Sequence, residues 1–146
     1  MWIISPLPDQ RKLAGRMIEF WQRGVGADYN PNRGEALDLI RVVDDLEAAV
    51  ARASRRWGEK PLVWATRAGG GEPWLGFGQA RQALSQKRPA LVIFGTAWGL
   101  APEVLSLCDA VLAPIEGRDG YNHLSVRSAA AVVLDRLLGR SLGDGE

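Results

Sequence analysis

Five short apolar runs, separated by segments with helical spacing, limit what this chain can fold into. They are Trp2-Ile3-Ile4, Leu37 to Val43, Pro61 to Thr66, Ala90 to Phe94, and Ala110 to Ala113. Each is too short to be a helix and is bounded by turn residues, so each reads as a buried strand. Strands that alternate with helical stretches imply βαβ units. The expected fold class is therefore α/β, a mostly parallel sheet with helices on both faces. At 146 residues, with no internal repeat and no linker, a single domain over residues 1–140 is expected. Residues 141–146 are expected to be a loose C-terminal tail.

The helices between these runs are legible from apolar spacing and caps. From Leu7, the residues Leu13, Met17, Phe20 and Trp21 recur at helical intervals until Gly24 and Gly26, which predicts an amphipathic helix with Met17 and Trp21 in the core. Residues 27–34 are rich in turn formers and read as a polar loop, either a solvated turn or a surface from which Tyr29 and Arg33 could touch an RNA base or phosphate. Asp44 precedes Glu47 by three, a capping box that opens a helix ending near Trp57-Gly58. A short helix is expected over 78–86 and another from Pro102. A last helix is expected from Asn122 to Leu138, stopped by Gly139.

Bulk properties exclude several function classes. The composition, 47% hydrophobic and 24% charged with a net charge of +1, gives no overall electrostatic case for nucleic acid or membrane. Lys12, Lys60 and Lys87 are the only lysines, and the arginine that dominates the basic residues suits phosphate, aromatic and carboxylate partners alike. The arginine cluster at Arg52, Arg55 and Arg56 reads as a solvated face. No apolar run reaches the roughly 20 residues that span a bilayer, and the N-terminus lacks a signal-peptide layout. The lone cysteine, Cys108, allows no internal disulfide and no metal-ligand spacing. It reads as a small buried residue in a protein of the reducing cytoplasm, with no metal.

The most ligand-friendly stretch runs from Asp109 to Ala131. An apolar run ends at Pro114, and a loop with Gly117 and Gly120 follows. Tyr121, Asn122, His123 and Ser125 then cluster at the expected helix start. Helix starts offer unpaired N–H groups, and glycines let backbone approach a ligand. Gly95, directly after the run Ala90 to Phe94, holds the position where backbone meets ligand in open α/β sheets. The triplet Gly69-Gly70-Gly71 lacks the Lys-Ser/Thr ending of a P-loop, so Thr66 at the strand end is the better ligand contact.

Two pieces together resemble the SPOUT RNA methyltransferases. Leu91 to Glu103, with its Gly95-Thr96-Ala97-Trp98-Gly99-Leu100 loop, is similar to that family's strand, glycine loop and Gly-Leu before a helix. Ala113-Pro114-Ile115, followed by Asn122-His123-Leu124-Ser125-Val126-Arg127-Ser128-Ala129-Ala130, is similar to its second glycine loop and helix start. Ser5-Pro6-Leu7, Tyr29-Asn30-Pro31 and Ala36-Leu37 extend the likeness to a small bacterial group, sometimes fused to tRNA guanine-N1 methyltransferase.

The resemblance implies a C-terminal trefoil knot, a homodimer, and S-adenosylmethionine-dependent methyl transfer to RNA, either tRNA or rRNA. It favours a ribose 2′-hydroxyl acceptor over a base nitrogen. By position it implies that Thr66, Gly95, Ala113, Ile115, Leu124 and Ser125 lie along the cofactor. Asn122 and His123 would then stand at the reactive end. Ala97 stands where many ribose-methylating members have Glu. The chain starts at what corresponds to the family's second strand, so either its start is internal to a longer protein or it lacks the family's Asn…Arg segment, with Arg33 as the proposed substitute. A degenerate dimer module that binds cofactor or RNA without turnover is the alternative expectation.

Overall fold

The computed structural model describes residues 1–69, 73–118 and 122–139. The expected tail at 141–146, and Gly120 and Tyr121 of the ligand-friendly stretch, lie outside these residues. The chain is α/β, with seven helices among the described residues and strands that pair in parallel. It forms two compact units, Met1–Gly58 and Glu59–Glu146.

The first unit runs β1 (Trp2–Ile4), α1 (Pro8–Arg23), α2 (Val25–Tyr29), α3 (Pro31–Asp38), β2 (Arg41–Val43) and α4 (Leu46–Trp57). β1 and β2 pair in parallel, Trp2 beside Arg41 and Ile4 beside Val43. The Ser5 N–H continues the ladder to the Val43 carbonyl at 3.1 Å. Ser5 is buried, and its hydroxyl donates to Gln10 while accepting from the Leu7 N–H. That satisfied polar pivot turns the chain from strand into α1, where Pro8 fits a first-turn position that needs no N–H. Val43, Leu46, Ala49 and Ala53 are buried, so α4 turns one small-residue face inward.

Four expectations change in this unit. The polar loop expected at 27–34 is helical: Asn30 caps α3, its side chain accepting from the Arg33 N–H at 3.1 Å, with Pro31 at the first turn. Asn-Pro is a helix-start signal as well as a turn signal, and composition alone does not separate the two. Leu37 and Asp38 therefore close α3, and the strand is only Arg41–Val43. Asp45 rather than Asp44 caps α4, accepting from the Ala48 N–H at 2.7 Å, while Asp44 pairs with Arg11 at 3.4 Å. Met17, expected in the core, is 56% exposed, and no residue of α1 is fully buried. Periodicity identifies an apolar face but not what covers it.

The second unit runs β3 (Leu62–Ala65), α5 (Phe77–Ser85), β4 (Ala90–Ile93), α6 (Pro102–Ser106), β5 (Ala110–Val111) and α7 (Val126–Leu138). The strand order is β4-β3-β5, all parallel. Asp109 fastens the β5 edge twice: its carboxylate accepts from the Val63 N–H and its own N–H donates to the Val63 carbonyl, each at 2.7 Å. Trp64, Ala80, Leu112, Val133 and Leu137 form the core, which joins β3 to α5 and α7. Arg81 reaches from α5 to the Arg136 and Gly139 carbonyls at 3.3 and 2.9 Å, satisfying the end of α7. The last helix starts at Val126 rather than Asn122, because Ser125 is its cap. Asn122, His123 and Leu124 form a non-helical lead-in.

Cys108 is half-buried, its thiol donating to the Val104 carbonyl at 3.2 Å. Burial pushes this thiol above its ordinary value, and the neighbouring Asp109 carboxylate adds to the rise. Less thiolate is then present near neutrality, so iodoacetamide at pH 8 should modify Cys108 more slowly than free cysteine, with the rate still rising at higher pH. Trp64→Ala should lower unfolding stability by about 3–5 kcal/mol in a denaturant titration, the range for emptying a buried aromatic site.

Candidate cofactor cleft at the strand ends

In the second unit the strand order reverses at β3. The connection through α5 places β4 on one side of it, and the connection through α6 places β5 on the other. Loops leaving neighbouring strands in opposite directions open a crevice at the carboxyl ends, the usual ligand position in open parallel sheets. A cleft of about 480 Å³ lies there, within the roughly 300–1,000 Å³ of small-molecule sites. Its walls are Thr66 to Ala68 after β3, Phe94 to Leu100 after β4, Ala113 to Ile115 after β5, and Asn122 to Val126 leading into α7.

The loop after β4 is held by close backbone packing. A Cβ on Gly95 would sit 2.4 Å from the Gly99 carbonyl carbon and 2.7 Å from the Leu100 nitrogen, so only glycine fits. The loop doubles back through a tight turn in which the Gly99 N–H donates to the Thr96 carbonyl at 3.0 Å. Gly99 has φ +88, and Ala97 has φ +49, a left-handed conformation that costs a non-glycine residue about 1–2 kcal/mol. Trp98 sits at the tip.

Thr66, Gly95, Ala113, Ile115, Asn122, His123, Leu124 and Ser125 all line this one cleft. Thr66 is also a zipper. Its N–H and its hydroxyl both donate to the Ile93 carbonyl, at 3.0 and 2.9 Å, leaving the hydroxyl oxygen to accept from a ligand. The Asn122 amide donates to the Ala68 carbonyl, tying the α7 lead-in to the loop after β3. Ser125 accepts from the Ser128 N–H at 3.2 Å and lies 2.9 Å from its hydroxyl, so its side chain is engaged with the start of α7. Arg33 belongs to the first unit and is not among the lining residues. Its guanidinium lies 4.3 Å over the Trp21 ring.

Arg67 and His123 are the ionisable side chains among the described lining residues, and none is a carboxylate. No group of three or more His, Cys, Asp or Glu gathers among the described residues. Phe94, Leu100, Leu105, Ile115 and Val133 supply apolar surface. The set suits a ligand with a flat apolar-tolerant ring, neighbouring polar atoms that bond to backbone, and an anionic group for Arg67. S-adenosylmethionine, with its adenine and its amino-acid carboxylate, meets that description. Sequence reasoning missed Arg67, Leu105 and the Ala68 carbonyl, which reach the cleft only through folding. It did not single out Trp98 either, although that aromatic stands inside the loop bounded by Gly95 and Gly99.

The whole length points the same way. The family model for SAM-dependent RNA methyltransferases matches residues 1–139.

The chain belongs to that family.

It is 48% identical over 141 residues, 97% of this chain and 33% of that protein, to a tRNA (guanine-N(1)-)-methyltransferase of Oleidesulfovibrio alaskensis. It is 47% identical over 142 residues, 94% of this chain and 32% of that protein, to one of Nitratidesulfovibrio vulgaris. This chain therefore spans about a third of the length of those two relatives. An uncharacterized protein of Aquifex aeolicus is 33% identical over 144 residues, 98% of this chain and 70% of its own length.

Gly95→Ala forces backbone to move and should cost about 1–3 kcal/mol, the range for overpacking. Thermal denaturation checks this, and an unchanged midpoint would show that the loop yields freely.

Proposed function

We propose that this chain transfers a methyl group from S-adenosylmethionine to a base nitrogen of tRNA, working as a homodimer. The observation that carries the reading is the cleft at the strand-order reversal, lined by Thr66, Gly95, Ala113 and Ile115, in a chain of this family. The bound cofactor supplies an electrophilic methyl on a sulfonium sulfur. The apolar walls would take the adenine, backbone at the three strand ends its polar atoms, and Arg67 the carboxylate. Positioning is the main contribution expected of such a site, with the reacting atoms about 3–3.5 Å apart.

The ribose preference expected from the resemblance is not supported. The Oleidesulfovibrio alaskensis and Nitratidesulfovibrio vulgaris relatives carry guanine N1 in their names, although those names describe proteins about three times as long. Chemistry favours the base as well. An imide N–H is far more acidic than a sugar hydroxyl, so it needs a weaker base to release its proton. The described lining offers no carboxylate, and Ala97 stands where many ribose-methylating members have Glu. Among the described lining side chains, the His123 imidazole is the one with a ring nitrogen to take the proton, since arginine keeps its charge. In this reading the cofactor would supply the methyl to the base nitrogen and leave as its neutral thioether, and His123 or water would take the base proton.

Two measurements test this. Calorimetric titration should show S-adenosylmethionine binding to the wild type and at least about tenfold weaker binding to Gly95→Val, since that change displaces the cradle backbone; no binding by the wild type overturns the cofactor assignment. Unmodified tRNA incubated with tritiated S-adenosylmethionine, then digested to nucleosides, should carry its methyl on the base fragment in mass spectrometry. A methyl on the ribose fragment would refute the base reading, and cofactor binding without incorporation would favour a module that binds without turnover.

A further inference from the structure

We propose that Trp98 is a stacking platform for an unpaired base of the RNA, standing at the mouth of the cleft. This rests on the methyl-transfer reading above and adds to it a substrate contact that does not touch the cofactor site's interior.

Trp98 lines the cleft and yet is 102% exposed, more than any other large apolar side chain described. It makes no ring or cation contact with any described residue. Scattered exposed leucines need no explanation. A bare indole differs here because the backbone beneath it is so constrained. Gly95 abuts Gly99 and Leu100 too closely to admit a side chain, the Gly99 N–H closes the turn on Thr96, and Ala97 is held left-handed one residue before the indole. Strain retained at the edge of a site points to a task at that residue. The turn fixes the Trp98 backbone and aims its ring away from the protein.

The surroundings favour a nucleobase as the occupant. Arg127 is exposed on the first turn of α7, directly after the cleft-lining Ser125 and Val126, and Arg118 is exposed on the segment after β5. Single-stranded nucleic acid is held by this pairing of aromatic faces for bases with cations for the backbone. The described lining has no carboxylate to repel phosphate. A methyltransferase also needs its target base out of any stack, and an aromatic face at the rim replaces the neighbour that the base has lost.

The test measures binding of fluorescein-labelled unmodified tRNA by anisotropy, with W98A, W98L and W98F beside the wild type. Calorimetry with S-adenosylmethionine and light scattering are run on each, together with tritium incorporation by the wild type. Stacking is worth a factor of roughly 5 to 100 per base. W98A and W98L should therefore weaken tRNA binding by about that much, while W98F stays within about threefold of wild type. Particle mass should not change, and tRNA affinity should fall by a larger factor than cofactor affinity. Leucine keeps apolar area but has no π face, so W98L separates stacking from ordinary packing. Equal tRNA affinity in all four proteins overturns the platform and leaves methyl transfer standing. Rescue by W98L, or a change in mass with W98A, assigns Trp98 to a contact with a second copy and overturns it too. Loss of tRNA binding in W98A and W98L with no methyl incorporated by the wild type supports the platform and refutes RNA as the methyl acceptor. No tRNA binding by the wild type refutes both.

Discussion

Parallel pairing of β3 with a neighbour on each side is the constraint on which the second unit depends. β3 pairs with β4 from Leu62 to Ala65 and with β5 at Trp64 and Ala65, the Asp109 carboxylate accepts from the Val63 N–H, and Trp64 anchors the core shared with α5 and α7. The same pairing brings three loops to one end. Because the connections leave β3 in opposite directions, those loops diverge and leave a cleft between them. The candidate site is thus a consequence of strand order before any side chain is considered.

Within that frame, backbone does most of the shaping. Gly95 permits an approach that no Cβ would allow, and Gly99 with the left-handed Ala97 turns the loop back on itself. Polar side chains at the cleft then hold the walls together. Thr66 joins the ends of β3 and β4, Asn122 joins the α7 lead-in to Ala68, and Ser125 caps α7. Such ties hold a cleft of small and aliphatic residues in shape, which suits recognition of a cofactor largely through main-chain groups. Only Arg67 and His123 are ionisable among the described lining residues, so positioning rather than a charged relay fits the chemistry of the cleft.

Much of this could be read from residues. The runs at Pro61 to Thr66 and Ala90 to Phe94 stood out because both are short, apolar and ended by turn residues. Gly95 stood out because it directly follows one of them. The start of the last helix was placed four residues too early: Asn122 and His123 are helix-compatible, and only Ser125, by accepting from Ser128, sets the boundary. The segment 27–34 was misread for a similar reason, since Asn30-Pro31 opens a helix here where the same pair elsewhere makes a turn. Met17 shows another limit, because spacing marks an apolar face without naming its cover.

By itself the sequence determined the alternation of strands and helices, the parallel class that alternation entails, and the positions where backbone must come close. These follow from local sterics and from periodicities written along the chain. Only the tertiary structure decided that the segments after β3, β4 and β5 meet with the α7 lead-in at one cleft, that Arg67 and Ala68 share it, that Arg33 stacks on Trp21 in the first unit, and that Trp98 stands bare at the rim. Those outcomes depend on strand order and on contacts between distant residues, such as Asn122 and Ala68, 54 positions apart. No local pattern encodes such contacts, because their free energy is realised only once the sheet has formed.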